Sequence, residues 1–177
     1  MELKHAILGL LSVQQMSGYD LGRAFANSIT HLWHADQSQI YRTLTRLGDT
    51  GAIETTVINQ DGKPDRKVHA LTEVGRAELD AWLRSPLEQE QSKEPFLARL
   101  FFAAPLGVPA VLDLLAEREA QARALLDTLR AIDAPTGDLA ATLRAATLRS
   151  GIGQAEAELR WLEQTRRTLT ETEAPPC

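Results

Sequence analysis

The segment that most constrains the fold of this chain is residues 36–82. It has the pattern of a short helix that ends near a glycine, followed by a strand, a charged hairpin tip, a second strand and another helix. Two further helices are predicted before it. This order is that of a winged helix-turn-helix domain, in which one helix enters the DNA major groove. We therefore expect a mainly α protein whose N-terminal half carries a two-stranded wing.

The two helices before this segment are predicted from the spacing of apolar residues. Residues 2–14 repeat leucine and isoleucine at intervals of three and four, which is typical of a helix with one buried face. Ser17 can cap a second helix over residues 18–28. The side chains expected to be buried on that helix are Tyr19, Leu21 and Phe25.

The third predicted helix has a polar start and an apolar stripe. Asp36 is expected to cap it, and Gln39, three residues later, completes a capping box. Ile40, Leu44 and Leu47 recur on one face, so we expect them to face the core.

The wing and a fourth helix follow. Residues 53–58 and 67–71 are rich in β-branched or alternating apolar residues, which predicts two strands. Residues 59–65 join them as a hairpin tip. Thr72 can cap the fourth helix, and the side chains expected on its inner face are Leu79, Trp82 and Leu83.

A domain boundary is predicted where the chain becomes polar and contains two prolines. Residues 1–85 form the winged helix-turn-helix domain, and residues 86–95 form the linker. Residues 96–177 are expected to form a helical dimerisation and effector domain.

That second domain contains long apolar stripes. After a short helix over residues 96–103, two long helices are predicted over residues 107–132 and 136–169. On the first, the expected stripe is Val108, Val111, Leu115, Ala122, Leu125, Leu129 and Ile132, interrupted by Arg118. Such stripes need a partner helix. We therefore predict a homodimer whose contacts on the second long helix include Leu148, Ile152, Leu159 and Leu162.

Polar residues of the third helix remain outside once its apolar stripe is buried. Arginine can fork onto guanine or phosphate, and glutamine can pair with adenine. The predicted DNA-contacting residues here are Gln37, Ser38, Gln39, Tyr41, Arg42 and Arg46. Of these, Gln39 and Arg42 are expected to read bases, and Tyr41 and Arg46 to contact phosphates. The alternative is an ordinary solvated helix face.

The wing adds a second group of cations to the predicted DNA-binding surface. Lys63, Arg66 and Lys67 lie where a wing reaches the DNA backbone, although Asp61 and Asp65 dilute this patch. The formal net charge of the chain is −5, and residues 1–85 contain 9 Lys and Arg against 10 Asp and Glu. This acidity leaves two alternatives open, a winged helix that binds another protein and a small-molecule sequestering protein without a DNA site.

These motifs resemble the PadR-like transcriptional regulators, a family named for repression of phenolic acid decarboxylase genes. The matching pieces are AILGLL, SGYDL, IYRTLTRLGDTGAIE, KVHALTEVGRAELDAWL, EPFLARLFFA and GIGQAEAELRWLEQT, which together span nearly the whole chain. The resemblance implies a homodimer built by C-terminal helices, with double-stranded DNA as partner. Many members are repressors released by small molecules. The family's DNA-facing positions correspond to the helix and wing residues named above.

Other functional classes find little support in the sequence. His31 and His34 have metal-ligand spacing, but no cysteine lies near them, so we predict no metal and no cofactor. We find no nucleophile arrangement and no phosphate-binding loop, so no enzyme is expected. The lone cysteine, Cys177, fits a reducing, cytoplasmic setting. The apolar run at residues 6–11 is too short to span a membrane.

Tryptophans are the remaining candidates for ligand contact. Trp161 lies beside the apolar stripe of the last helix, where it would either pack in the dimer or stack on a flat aromatic effector. Trp82 is the second candidate effector contact, although packing in the core is the simpler interpretation.

Overall fold

The structure is a computed structural model in which residues 2–27, 35–59, 65–87, 94–134 and 136–173 are described. It divides into two compact units, Met1–Gln89 and Glu90–Cys177. The elements of the N-terminal unit, in order, are α1 Leu3–Val13, β1 Met16–Ser17, α2 Gly18–Asn27, α3 Gln37–Asp49, β2 Ile53–Ile58, β3 Arg66–Leu71 and α4 Glu73–Arg84. This is the predicted winged helix-turn-helix order.

One hydrophobic core joins the helices of the N-terminal unit to its sheet. The predicted stripe of α3 is confirmed, because Ile40, Leu44 and Leu47 are all buried. The fully buried side chains of α1 and α2 that meet it are Ile7, Leu8, Leu21 and Phe25. The third helix is therefore fixed by its apolar face, and its polar face is left to solvent.

Two residues predicted to be buried are instead exposed. Tyr19 is 63% exposed and Leu83 is 65% exposed. Tyr19 precedes Asp20 in the first turn of α2, where Leu21 occupies the position that faces the core. Leu83 lies at the end of α4, whose core contacts are made by Leu79 and, in part, by Trp82.

The sheet has three strands, not the two that the sequence predicts. Their order is β1-β3-β2, and both neighbouring pairs are antiparallel. Met16 pairs with His69, and Ser17 pairs with Val68. A strand of two residues is too short to show an alternating pattern, so only its partner more than 50 residues away reveals it. The added strand attaches the wing to the start of α2.

The junction between α4 and β2 requires a glycine at one position. A Cβ atom on Gly75 would lie 2.1 Å from the carbonyl oxygen of Ala52, far inside contact distance. Thr72 caps α4 as predicted, because its hydroxyl accepts a hydrogen bond from the Gly75 N–H. This close approach fixes α4 against the beginning of the wing.

The C-terminal unit consists of helices packed along apolar faces. Its elements are α5 Pro95–Phe101, a 3₁₀ turn Ala104–Leu106, α6 Gly107–Arg130 and α7 Leu139–Glu173. The buried residues of α6 are Val111, Leu115, Ala122, Leu126 and Leu129. Leu126 replaces the predicted Leu125, which is 39% exposed. A helix of about 3.6 residues per turn drifts from a heptad, so here the stripe advances by four residues where three were expected.

Within the described residues, no single helix is long and apolar enough to cross a membrane. The helix Pro95–Phe101 taken together with Ala104–Arg130 meets the length and composition requirement, but the two are bent by 61°.

Candidate nucleic-acid interface

The N-terminus of α3 is held by the predicted capping box. Asp36 accepts a hydrogen bond from the Gln39 N–H at 2.8 Å, and the Gln39 side-chain oxygen accepts one from the Asp36 N–H at 3.4 Å. The Ser38 hydroxyl donates to the same carboxylate at 2.7 Å. These donors, the Ser38 hydroxyl first, hold the pKa of Asp36 below its ordinary value. Two of the predicted DNA-contacting residues, Ser38 and Gln39, therefore belong to the cap, and a third, Gln37, directly follows Asp36.

Gln37 faces the second helix. Its side-chain amide donates to the carbonyl oxygen of Gly18 at 3.3 Å. A Cβ atom on Gly22 would lie 2.4 Å from the Gln37 amide oxygen, so the side chain packs closely on α2. The structure thus gives Gln37 a role in joining the two helices of the helix-turn-helix, and DNA contact by it stays a prediction.

Arg42, Arg46 and Tyr41 occupy the exposed part of α3. Arg42 lies about 200° around the helix from the buried Ile40, and its Nε donates to the carbonyl oxygen of Ser38 at 3.3 Å. Arg46 is exposed one turn further on. Tyr41 is 48% exposed and its ring lies against Gly18, where a Cβ atom would be 2.5 Å from the ring. These three side chains are available to a partner beside α3.

The wing residues have different environments. Arg66 donates a hydrogen bond to Asp20 at 2.6 Å, whereas Lys67, the next residue of β3, is exposed. The Asp20 carboxylate also accepts from the Ser17 hydroxyl and N–H, so the pKa of Asp20 is lowered to about 2 by Ser17 and then by Arg66. Lys63 and Asp61 lie outside the described residues. Arg66 is therefore paired with a carboxylate, which the sequence does not predict, and DNA contact by Arg66 stays a prediction.

A groove of about 840 Å³ separates α3 from the wing. Tyr41, Thr45 and Gly48 line one wall, and the opposite wall is formed by residues of the sheet and of the start of α2. The cations on that wall are Arg66 and Lys67, and the acids are Asp20 and Asp65. The groove therefore places Tyr41 and Thr45 of the third helix opposite the wing, while Arg42 and Arg46 are exposed elsewhere on the same helix.

His69 and Thr55 form the floor of this groove across the β2–β3 pair. The His69 ring nitrogen Nδ1 and the Thr55 hydroxyl are 2.9 Å apart. Burial, and then the neighbouring Lys67, lower the pKa of His69. The lowered pKa favours the neutral imidazole, which contributes a hydrogen bond between the two strands of the wing.

Three residues of this surface are not among those predicted for it, and one of them, Tyr19, is expected from the sequence to be buried. Thr45 and Tyr19 are exposed and line the groove, and Asp20 binds Arg66. A signal for Asp20 existed, because Ser17 and Asp20 have the S-x-x-D spacing of a capping box. Its link to Arg66 joins residues 46 positions apart and has no local signal.

The effector candidates belong to different units. Trp82 stacks on His5 with ring centroids 4.8 Å apart. Trp161 is 38% exposed and meets the ring of Phe96 edge-on at 6.2 Å. The guanidinium of Arg118 lies 5.5 Å from the centre of that Phe96 ring and donates to Glu158 at 2.6 Å. Ligand binding at either tryptophan stays a prediction.

The predicted dimer residues differ in exposure within one chain. Leu148 is 5% and Leu162 is 1% exposed, while Ile152 and Leu159 are half-buried. Packing inside the C-terminal unit thus already covers two of the four, and the dimer contacts stay a prediction. His31 and His34 lie outside the described residues, within which no group of three or more potential ligands is arranged to hold a metal ion.

The fold and this surface define a winged helix-turn-helix regulator with a helical C-terminal unit. Residues 7–81 match the family model "Transcriptional regulator PadR-like family", and residues 92–170 match "Virulence activator alpha C-term". The probable transcriptional regulator Rv1176c of Mycobacterium tuberculosis is 34% identical, over 97% of this chain and 99% of its own. The negative transcriptional regulator PadR of Bacillus subtilis is 35% identical, over 72% of this chain and 71% of its own.

Crystal structures of that Bacillus subtilis protein have the same fold. In complex with operator DNA it matches with a TM-score of 0.82 and 27% identity, covering 94% of this chain and 97% of that one. In complex with p-coumaric acid it matches with a TM-score of 0.72 and 27% identity, covering 95% and 98%. The chain belongs to the PadR-like family of transcriptional regulators.

Proposed function

We propose that this chain is a homodimeric, cytoplasmic repressor that binds a pseudo-palindromic DNA operator. One observation carries the proposal: α3, with its N-terminus capped, faces the wing cation Lys67 across a continuous groove. An α-helix fits the major groove, and a cation beside it can then reach the backbone. The operator complex of Bacillus subtilis PadR and its name as a negative regulator support this reading.

Base reading falls to Arg42 and Gln39 in this proposal, with Tyr41 and Arg46 on phosphates. Arg42 lies on the part of α3 farthest from the core, so in the proposed complex it reaches deepest into the DNA major groove. Gln39 can read a base only when its side chain leaves the cap, where its bond to the Asp36 N–H is long at 3.4 Å.

A band-shift experiment with the DNA upstream of the protein's own gene tests this function. The complex should survive at salt concentrations that abolish binding to a scrambled duplex of equal length. Equal binding to both duplexes that disappears together as salt rises would favour a protein-interaction module. The ion pair between Asp20 and Arg66 supports a protein-interaction module as the second candidate function, because it neutralises one wing cation.

The dimer is proposed to form along α7. Ile152 and Leu159 are half-buried in the single chain and Trp161 is partly exposed beside them, so they retain apolar surface for a partner helix. Leu148 and Leu162 support the same helix from inside. Leu159→Glu should give a monomer that no longer binds operator DNA, because a partner helix would bury an unpaired carboxylate.

Light scattering measures the outcome of that substitution. Gln164→Glu is the matched control, because it adds the same charge at an exposed position of the same helix. A dimer that survives Leu159→Glu as well as the control would contradict the proposed interface.

An aromatic effector is proposed to bind beside Trp161 and release the DNA. The rings of Trp161 and Phe96 pack at right angles to each other, and Arg118 supplies a cation over Phe96. The p-coumaric acid complex of Bacillus subtilis PadR supports an aromatic ligand. Trp82 is the weaker candidate, since His5 already covers one of its faces.

Tryptophan quenching with p-coumaric acid as the probe tests the effector site. Trp161→Ala should lower both the affinity for the probe and the release of DNA by it, while Trp82→Phe should leave both largely intact. If Trp161→Ala changes neither quantity, the pocket lies elsewhere.

A further inference from the structure

One carboxylate connects the start of the second helix to the wing. Oδ2 of Asp20 accepts hydrogen bonds from the Ser17 hydroxyl at 2.6 Å, the Ser17 N–H at 3.0 Å and Nη2 of Arg66 at 2.6 Å. The Ser17 hydroxyl in turn accepts from the Asp20 N–H at 3.2 Å. Ser17 and Asp20 thus cap each other, and this pairing orients the carboxylate that binds Arg66.

The arginine lies at the far end of the wing ladder. Arg66 is the first residue of β3 and pairs with Ile58, the last residue of β2. The strand β1 supports β3 only at His69 and Val68. The bond between Asp20 and Arg66 thus holds β3 two residues beyond the last point that β1 reaches, next to Lys67 and to the hairpin tip.

Resting on the function proposed above, we propose that Asp20 is a positioning residue for DNA binding, which holds the far end of the wing ladder, where Arg66 pairs with Ile58, against α2. A hairpin that is already fixed loses less conformational freedom when it docks on DNA. In this arrangement Arg66 acts mainly as an anchor, and the exposed Lys67 is the cation that the anchor presents to the phosphates.

This role predicts an effect opposite in sign to that of charge alone. Asp20→Asn removes a negative charge from the groove wall and releases Arg66, so simple electrostatics predicts tighter binding to any DNA. The positioning role predicts weaker binding instead, by about threefold to tenfold, because the wing must be ordered during association. Asparagine keeps the size of the side chain and an oxygen that can still accept from Ser17.

The first measurement is fluorescence anisotropy with a duplex that the wild-type protein enriches from a random pool. Asp20→Asn and Arg66→Gln should weaken binding to similar extents. The double variant should bind no more weakly than Arg66→Gln alone, since both changes break one contact. Glu78→Gln is the matched control: it breaks an ion pair of the same unit with Lys4 at 2.7 Å and similar exposure, away from the groove, and should leave affinity unchanged. Tighter or unchanged binding by Asp20→Asn overturns the proposal.

The second measurement does not depend on DNA. Hydrogen exchange at the amides of residues 66–68 should be faster in Asp20→Asn than in wild type, and unchanged in Glu78→Gln. Unchanged exchange in Asp20→Asn also overturns the proposal. If no duplex is enriched by the wild-type protein, the proposed function fails, and the exchange data alone decide whether Asp20 anchors the wing.

Discussion

Replacing Lys67 by alanine should weaken binding to every DNA sequence, whereas replacing Arg42 should weaken binding to the operator above all. Lys67 lies on β3 opposite Val57 and lines the groove, and we predict that its ammonium group reaches the DNA backbone or the minor groove. Arg42 lies on α3 almost opposite the buried Ile40, where a helix in the major groove presents side chains to base edges. Lys67 should therefore contribute to binding of any DNA sequence, and Arg42 to the preference for the operator.

The salt dependence gives the magnitude for Lys67. Each phosphate contact contributes about 0.9 to the slope of log affinity against log salt, so a dimer that loses two contacts loses about 1.8 from the slope. Between about 50 and 200 mM salt this amounts to roughly tenfold. The loss of affinity in Lys67→Ala should thus be about ten times greater at the lower salt concentration. For Arg42→Ala we expect a loss of about 1–3 kcal/mol per half-site on the operator and little loss on scrambled DNA.

Anisotropy titrations of both variants against operator and scrambled duplexes, at several salt concentrations, measure these quantities. Arg76→Ala is the control, because Arg76 is an exposed arginine of α4 in the same unit, 3.7 Å from Glu73. Equal losses on both duplexes for Arg42→Ala would remove it from the base-reading role. A salt slope unchanged by Lys67→Ala would refute the wing contact.

Three further predictions concern stability. Leu162→Ala should lower the free energy of unfolding of the C-terminal unit by about 2–5 kcal/mol, because the side chain is 1% exposed; a comparable loss in a denaturant titration of Leu143→Ala, at a 58% exposed position, would contradict this. Gly75→Ala should destabilise the N-terminal unit by about 1–3 kcal/mol, measured by its melting temperature, since the new methyl group meets the Ala52 carbonyl. Because folding lowers the pKa of Asp20, its contribution to the free energy of unfolding should be complete above pH 3.8 and should be lost as pH falls through about 2. An NMR titration of its carboxyl carbon with a midpoint near 3.8 would exclude this contribution.

The parts of the fold that were predictable depend on contacts close in sequence. The capping box of Asp36 and Gln39 spans one turn, so its residue types alone indicate it. The apolar stripe of α3 repeats within a few turns and was predicted in full. In contrast, β1 exists only because Met16 and Ser17 meet His69 and Val68, and no periodicity of two residues can predict such a pairing.

The geometry of the candidate DNA-binding surface was predictable only in part, for the same reason. The arginines of α3 follow from helix geometry once the buried stripe is known. Whether a wing cation is free depends on what the fold brings beside it, and Asp20 meets Arg66 from 46 residues away. The packing of Gln37 on α2, which turns it toward Gly18, is equally a tertiary event.

The acidic composition of the N-terminal half does not conflict with DNA binding, because several of its carboxylates are occupied by neighbouring donors or cations. Asp36 caps α3 and Asp20 binds Arg66. Glu78 pairs with Lys4 and Asp80 pairs with Arg84, so each of these carboxylates is engaged by a neighbour of the same unit. The helix α3 contains two arginines and a single acid, Asp49, which is its last residue. Because phosphate attraction falls off within about 10 Å at ordinary salt, the local surface, and not the net charge, sets the affinity for DNA.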